Sequence, residues 1–490
     1  MDIPQTAPDQ KAADRESPTG CPVDHAAMAA SVAPAATPAI RAADLPRSTL
    51  HPLKQILAYW RRPGGFMEDN RALYGSRFAL SIRLPSMPYY VISDPEDIRQ
   101  AFLAPPDVLH TGNGSATLEK YIGHSGLAWL DENEHTMRRK RLMPTMHGKA
   151  LKRVEAMIED RVVTDVANWP QGRITALHPY THRLTLEVIR EVIFGNAAPA
   201  GWERLAGLLT EMMKFNDKMI SPLRLHEMPP TLVRMLTVFR PTGLHRFLKL
   251  RARVDAVIAE IVAERRASGV TGDDLLSVLL GIVHEDGSPL DAVELRDEMM
   301  TIFLAGTETT ASALAYTFEY LSRETEVRER LVAEIDRGES QEFLTAVVQE
   351  VLRLRPPLPQ IILRVVMKPI EIGGVSYERG DIIWPSAHLL HHDPKLYPEP
   401  HAFRPERWLG VKPTVYTWIP FGGGRIRCLG ADVALVEMKA VIREVLTRYE
   451  LHRDDPAQEP VRSRIVITVP ALGGRVELRP RTPVHGAAGG

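Results

Sequence analysis

The run Phe421-Gly422-Gly423-Gly424-Arg425-Ile426-Arg427-Cys428-Leu429-Gly430 places one of the chain's two cysteines behind three consecutive glycines. Residues without Cβ let backbone approach a flat ligand closely and adopt positive φ without strain. Backbone N–H groups in such a turn can point at a sulfur and favour its thiolate form. Ala431 to Tyr449 has the spacing of an amphipathic helix, so Cys428 falls just before a helix N-terminus, whose dipole also favours an anionic sulfur. A lone cysteine is more often a small buried hydrophobe. Here the Phe and Gly spacing weighs against that, and one thiolate on a tight glycine loop suits a haem iron, where its electron donation promotes O–O cleavage.

A second chemically loaded stretch is Ala305-Gly306-Thr307-Glu308-Thr309-Thr310, which follows the apolar Met299, Met300, Ile302, Phe303 and Leu304. Ser288-Pro289 predicts the start of a helix that reaches Leu321, about thirty residues or roughly 45 Å long. At about 100° per residue Ala305, Glu308 and Thr309 fall within about 100° of arc. A small residue, an acid and a hydroxyl so placed can form a groove for dioxygen with a proton path. A carboxylate in the middle of an apolar helix is costly and argues against a lipid-facing span. Elsewhere, Glu350 and Arg353 stand at i, i+3 on an apolar helix, His135 and Arg139 at i, i+4, and Arg364 follows Ile361-Ile362-Leu363. Charged pairs at such spacings are common on helix surfaces and carry little information alone.

The cysteine run, followed by Ala434 and Glu437, resembles the haem-binding loop of the cytochrome P450 superfamily, and Ala305 to Thr310 is similar to its oxygen-groove signature. Ile426 stands where that family usually has Arg or His, with Arg425 and Arg427 on either side. The resemblance implies haem b (iron protoporphyrin IX), Cys428 as the iron ligand, and Ala305, Gly306, Phe421, Gly422, Arg425, Arg427 and Gly430 against the cofactor. It makes Glu308 and Thr309 the catalytic proton-handling pair. By the same resemblance His135, Arg139 and Arg364 grip haem propionates, and Glu350, Arg353 and Arg407 form a structural triad. The implied activity is monooxygenation, by hydroxylation or epoxidation, of an apolar substrate such as a terpenoid, steroid, fatty acid or polyketide. Peroxide-driven or isomerising relatives tend to lose the acid–threonine pair, and a non-catalytic haem sensor or carrier would not need it.

The elements that must position these groups are mostly helical. Strand-like runs occur at Phe78 to Leu84 and Tyr89 to Ile92, helical periodicity dominates from Ala116 to about Leu354, and short strands return at Ile370 to Val375 and Ile465 to Val469. The expected class is mainly α (α+β), a helix-rich domain with a long central helix over the haem and a smaller β-rich region. We expect one domain over 46–480, a disordered leader over 1–45 and a disordered tail over 481–490.

Composition narrows the partners. The 490 residues carry 60 Lys+Arg and 61 Asp+Glu, which gives no reason to expect nucleic acid. Pro34 and Pro38 break the apolar N-terminal stretch, so no transmembrane anchor is expected, and we expect a cytoplasmic, soluble bacterial enzyme. Two cysteines cannot hold a Cys₄ cluster, and no flavin motif is present. Electrons are therefore expected from a ferredoxin and its reductase. They would dock on the basic run Arg138 to Arg153, which has seven Lys/Arg and no acid. The expected pocket draws on Val108 to Leu127, the methionine-rich Trp202 to Phe239, the long helix, Leu358 to Leu363 and Ile465 to Gly473.

Overall fold

The computed structural model describes residues 40–82, 87–112, 119–214, 243–338, 340–464 and 466–481. Its centre is the helix Ala292–Arg323, 32 residues long and buried along most of its length. This helix does not begin at Ser288-Pro289. Pro289 is held in a β-bridge to Val283, and Ser288 bonds the side chain of Asp286. Asp291 is the N-cap: its carboxylate accepts from Val293 N and Glu294 N, while the Glu294 side chain accepts from Asp291 N. That reciprocal box satisfies more of the unpaired N–H groups than a serine cap would.

The long helix packs closely along His178–Phe194. A Cβ on Gly306 would come within 2.3 Å of Ile189 Cδ1. Thr181 Oγ1 donates to Ala311 O at 3.0 Å and Thr185 Oγ1 to Thr307 O at 3.2 Å. These bonds tie the two helices to each other at two successive turns.

The strands in chain order are β1 Ile40–Arg41, β2 Arg77–Leu80, β3 Tyr89–Ile92, β4 Leu109–His110, β5 Ile174–Ala176, β6 Arg364–Val366, β7 Ile370–Ile372, β8 Val375–Tyr377, β9 Ile382–Pro385, β10 Tyr449–His452, β11 Val461–Arg464, β12 Ile467–Pro470 and β13 Arg475–Pro480. One five-stranded sheet runs β2-β3-β9-β6-β4, so segments on either side of the helical region interlock. The run expected as one strand from Ile370 to Val375 is a hairpin, because Gly373 and Gly374 both take positive φ (58° and 76°) and turn the chain. The C-terminal run supplies the single strand β12, which pairs with β11 immediately upstream.

The fold also claims residues assigned to the termini. β1 pairs in parallel with β8, Ala42 and Leu45 are buried, and Arg481 N donates to Arg448 O at 2.8 Å. Residues 40–45 and 481, expected in the leader and the tail, therefore join the folded structure, because they bury apolar surface or complete backbone pairing. The rest of the expected leader and tail lies outside the described residues. So do Met219, Met228, Met235, Phe215 and Ile220 of the methionine-rich segment; Met212 and Met213 are buried in the helix Trp202–Lys214. Among the described residues no helix is long and apolar enough to cross a membrane.

Candidate active site

The cysteine loop closes on itself, with Cys428 N donating to Phe421 O at 2.9 Å. Gly422 and Gly424 take φ of 65° and 64°. A Cβ on Gly424 would lie 2.3 Å from Phe102 O, and one on Gly423 2.3 Å from the Phe102 ring. Two of the three glycines are thus required by the helix Pro95–Leu103, which the loop touches backbone to backbone. The C-terminal helix starts at Ala431 with Gly430 as N-cap, so Cys428 sits just before a helix N-terminus. The side chain of Cys428 is open to solvent on one side and surrounded by protein elsewhere. Burial pushes its thiol up, partly offset by the Gly430 N–H and the charges of Arg139 and Arg427.

Nearby is a set of buried side-chain nitrogens, two of them on arginines, that no protein acceptor satisfies. Trp129 Nε1, His135 Nδ1, Arg364 Nη2 and Arg425 Nη1 are all buried and lack hydrogen-bond partners. Burial, then the charges of Arg139 and Arg425, push His135 down to about 4. Burial and Arg425 push Arg364 down to about 9. Arg425 is anchored by its other nitrogen, which donates to Leu109 O at 2.6 Å. Asp131 lies close enough to act on all three, but its oxygens already accept from Thr111 N and Gly112 N at 2.8 and 3.0 Å. Buried donors without acceptors cost roughly 1–3 kcal/mol each. The cluster is therefore built for an anionic group, and a flat dicarboxylate lying between it and Cys428 fits these donors. Arg427 is exposed beside Cys428 and acts by charge on Cys428 and Arg139.

On the long helix Ala305 is exposed although its neighbours Phe303 and Thr307 are buried. The wall therefore opens there. Thr309 is on the same side, and its hydroxyl donates to Ala305 O at 2.7 Å. Glu308 is not on this side. It is buried, with Arg464 Nη1 at 2.9 Å, His182 Nε2 at 3.1 Å and His178 Nε2 at 3.8 Å. Burial alone would raise its pKa, but His182, Arg464 and His178 outweigh that and hold it well below the usual carboxylate range. The helical arc between Glu308 and Thr309 is about 100°, enough to divide them between two surfaces. Gly306 points at Ile189, so close helix packing rather than the open side explains it.

The family model for cytochrome P450 matches residues 46–477. The chain belongs to the cytochrome P450 family. It is similar to cytochrome P450 137 of Mycobacterium tuberculosis, 35% identical over 399 residues that cover 80% of each chain. It is also similar to cytochrome P450 138 of Mycobacterium bovis, 34% identical over 410 residues covering 83% of this chain and 90% of that one. A cyanobacterial CYP120A1 solved with retinoic acid superposes with a TM-score of 0.75 at 23% identity, covering 89% of this chain and 99% of that one. The cytochrome P450DA haem domain superposes at 0.74 and 21% identity, covering 90% and 98%. The fold is thus the P450 fold, and the protein is a haem-dependent monooxygenase of the oxidoreductase class.

In this P450 the Glu350–Arg353–Arg407 group is buried at its centre, with Arg407 at its partly exposed edge. Glu350 and Arg353 are fully buried and doubly bonded at 2.8 and 2.9 Å. Arg407 Nε, Trp408 Nε1 and Arg404 N also donate to Glu350, at 3.1, 2.9 and 2.9 Å. Arg353 donates onward to the carbonyls of His391 and Pro400, each at 2.7 Å, and His391 Nε2 accepts from Ile419 N at 2.9 Å. A chain of bonds thus leads from the triad to the segment before Phe421. His391 and Trp408 escaped the sequence reading, as did Trp129, Arg464, His178 and His182; none carries a local signal, because the groups that give them meaning lie far away in the chain. Asp297 and Glu298 were also missed. They accept from His124 N, Ser125 N and Leu127 N at 2.9–3.0 Å, docking that loop on the long helix.

Of the basic run, Arg138 is buried between Glu294 and Glu298 at 3.2 and 3.3 Å, and Arg153 pairs with Asp273 at 2.7 Å. The exposed face is therefore narrower than the sequence suggests. Val469, expected in the pocket lining, is only 1% exposed and belongs to the core.

Glu437, on the C-terminal helix, is buried with one oxygen unpartnered, and burial raises it to about 8. Folded protein keeps a proton there that unfolded chain gives up from about pH 4.5 upward, so stability falls as pH rises from about 4.5 through 8 and then levels. Glu437→Gln is expected to melt near wild type at about pH 5 and to be more stable by roughly 1–3 kcal/mol at about pH 9. Parallel melting curves at both pH values would refute this.

Proposed function

We propose that the chain binds haem b through Cys428 and oxidises an apolar substrate with electrons from a ferredoxin and its reductase. The observation that carries this reading is the set of four partnerless buried donors, on Trp129, His135, Arg364 and Arg425, together with an accessible cysteine at a helix N-terminus. The haem, when bound, supplies the activation of dioxygen. The chain's own residues do the rest. His135, Arg139, Arg364 and Arg425 hold the two carboxylates, with Arg425 taking the place that Ile426 leaves. Gly430 N–H and the following helix favour the thiolate. Thr309, held by Ala305 O, keeps a hydroxyl proton at the open side of the long helix. Glu308 stays ionised behind it, held by Arg464 and His182. The overall balance is substrate C–H, O2, two electrons and two protons giving C–OH and water.

Ile362 and Leu363 are partly exposed beside Arg364 and supply an apolar wall that orients substrate and limits water. The reading favours oxygen insertion over peroxide-driven chemistry, because the Thr309 hydroxyl and the Glu308 carboxylate are both present and both held in defined bonds. Thr309→Ala is expected to keep electron consumption within about twofold while product per electron pair falls by roughly tenfold, with hydrogen peroxide making up the difference. Peroxide and product are measured in the same assay with reduced ferredoxin. Unchanged coupling would remove Thr309 from proton handling.

A further inference from the structure

Away from the site, three histidines and a glutamate from separate segments meet near the surface. Glu68 comes from the helix Pro63–Tyr74, His388 from the short helix Ala387–His391, and His392 from the residue capping it. His401 lies in the loop that leads to Phe403. Ligand atoms of Glu68, His392 and His401 all lie within 4.8 Å of one another. The His388 and His392 rings are 4.2 Å apart, and those of His392 and His401 are 5.0 Å apart. A tetrahedral zinc ion with bonds of about 2.0–2.1 Å needs ligand atoms about 3.3–3.4 Å apart, so small side-chain rotations suffice.

The surrounding bonds prepare these groups as ligands. His392 Nδ1 lies 2.8 Å from His388 O, an acceptor, so Nδ1 carries the proton and Nε2 keeps its lone pair. Such a bond to the second ring nitrogen orients metal-binding imidazoles. Burial first, then the charge of His388, disfavours a protonated His392, with Arg353 and Arg355 adding to it. Burial would raise the Glu68 carboxyl, but the His388 bond and the charges of His388, His401 and Arg355 lower it overall. His388 Nε2 holds Glu68 Oε1 at 2.7 Å, which leaves Oε2 turned to His401 Nε2 at 3.9 Å. The side chain of His401 is 66% exposed and provides an entry path.

We infer that Glu68, His392 and His401 form a site for a divalent transition ion of the zinc class, with His388 as the residue that positions Glu68. Two imidazoles and a carboxylate with room for water suit that class. The Glu68 charge offsets the nearby Arg355. A second grouping, Glu134, His284 and Glu294, is less suited. Glu294 already bonds His284, Arg138 and Asp291 N at 2.9, 3.2 and 2.9 Å. The consequence is structural. Arg353 holds the carbonyls of His391 and Pro400 from inside, and an ion bridging His392 and His401 would close the same loop from outside while tying it to the helix Pro63–Tyr74.

The test is equilibrium dialysis of the haem-loaded full chain against zinc chloride, with metal counted per chain. One tightly held zinc is expected. His401→Ala and Glu68→Gln should each weaken it by about 100-fold or more, and His388→Ala by about 10–100-fold. His284→Ala should leave it unchanged. Zinc should raise the melting temperature of wild type and not of His401→Ala, whose exposed ring makes that variant safe for folding. No retained zinc, equal retention by His401→Ala, or loss in His284→Ala alone would each overturn the inference.

Discussion

Cys428→Ser is expected to abolish the far-red Soret band of the reduced protein under carbon monoxide and to reduce turnover to the detection limit, without unfolding the chain. The loop bond from residue 428 N to Phe421 O is a backbone bond, and the positive-φ glycines that shape the loop remain, so the loop geometry survives the exchange. Only the sulfur is lost, and a hydroxyl is a far weaker electron donor to the metal. Circular dichroism, haem content and the carbon monoxide difference spectrum are measured together. A serine variant that keeps the displaced band would eliminate Cys428 as the ligand, and with it the proposed chemistry.

Glu350→Ala is expected to have the second-largest effect, as lost stability and lost haem. Removal of this carboxylate leaves Arg353 as a fully buried cation and strands Trp408 Nε1 and Arg404 N. Breaking a buried pair by deleting one partner costs about 3–5 kcal/mol. Arg353→Ala should cost a similar amount, because it also frees the carbonyls of His391, Pro400 and Ala402. Arg407→Ala should cost less, since Arg407 is partly exposed and contributes one of Glu350's five bonds from other residues. Melting temperature and haem per chain should follow that order. A haem-loaded Glu350→Ala protein melting with wild type would refute the structural role.

The parts of the site that were legible in advance are those whose members lie close in the chain. The Cys428 loop and its helix are contiguous, and Thr309 reaches Ala305 within one helical turn. His135 and Arg139 share one helical face for the same reason. Glu350 and Arg353 are one turn apart, and only their burial needed the fold. The start of the long helix was placed at Ser288-Pro289, whereas the reciprocal bonds between Asp291 and Glu294 cap it three residues later.

The residues that were not legible meet across long separations. Arg464 finds Glu308 from the β11–β12 hairpin, and His182 reaches it from a neighbouring helix, so nothing near Glu308 announces that its carboxylate is paired and turned away from Thr309. Trp129 and Arg425 gain meaning only when their unsatisfied N–H groups are seen to converge. The four-residue cluster of Glu68, His388, His392 and His401 has no spacing motif that includes Glu68.

By itself the sequence determined the family, the cysteine loop and the local frames around it, because each depends on spacing within one turn or one loop. Tertiary structure alone decided the direction of Glu308, the two packing duties of Gly306 and the Phe102-facing glycines, and the burial of the unpartnered nitrogens of Trp129, His135, Arg364 and Arg425. Those depend on which distant surfaces meet. A helical period fixes the side on which a residue lies, but the neighbour that covers that side is chosen by packing of the whole chain.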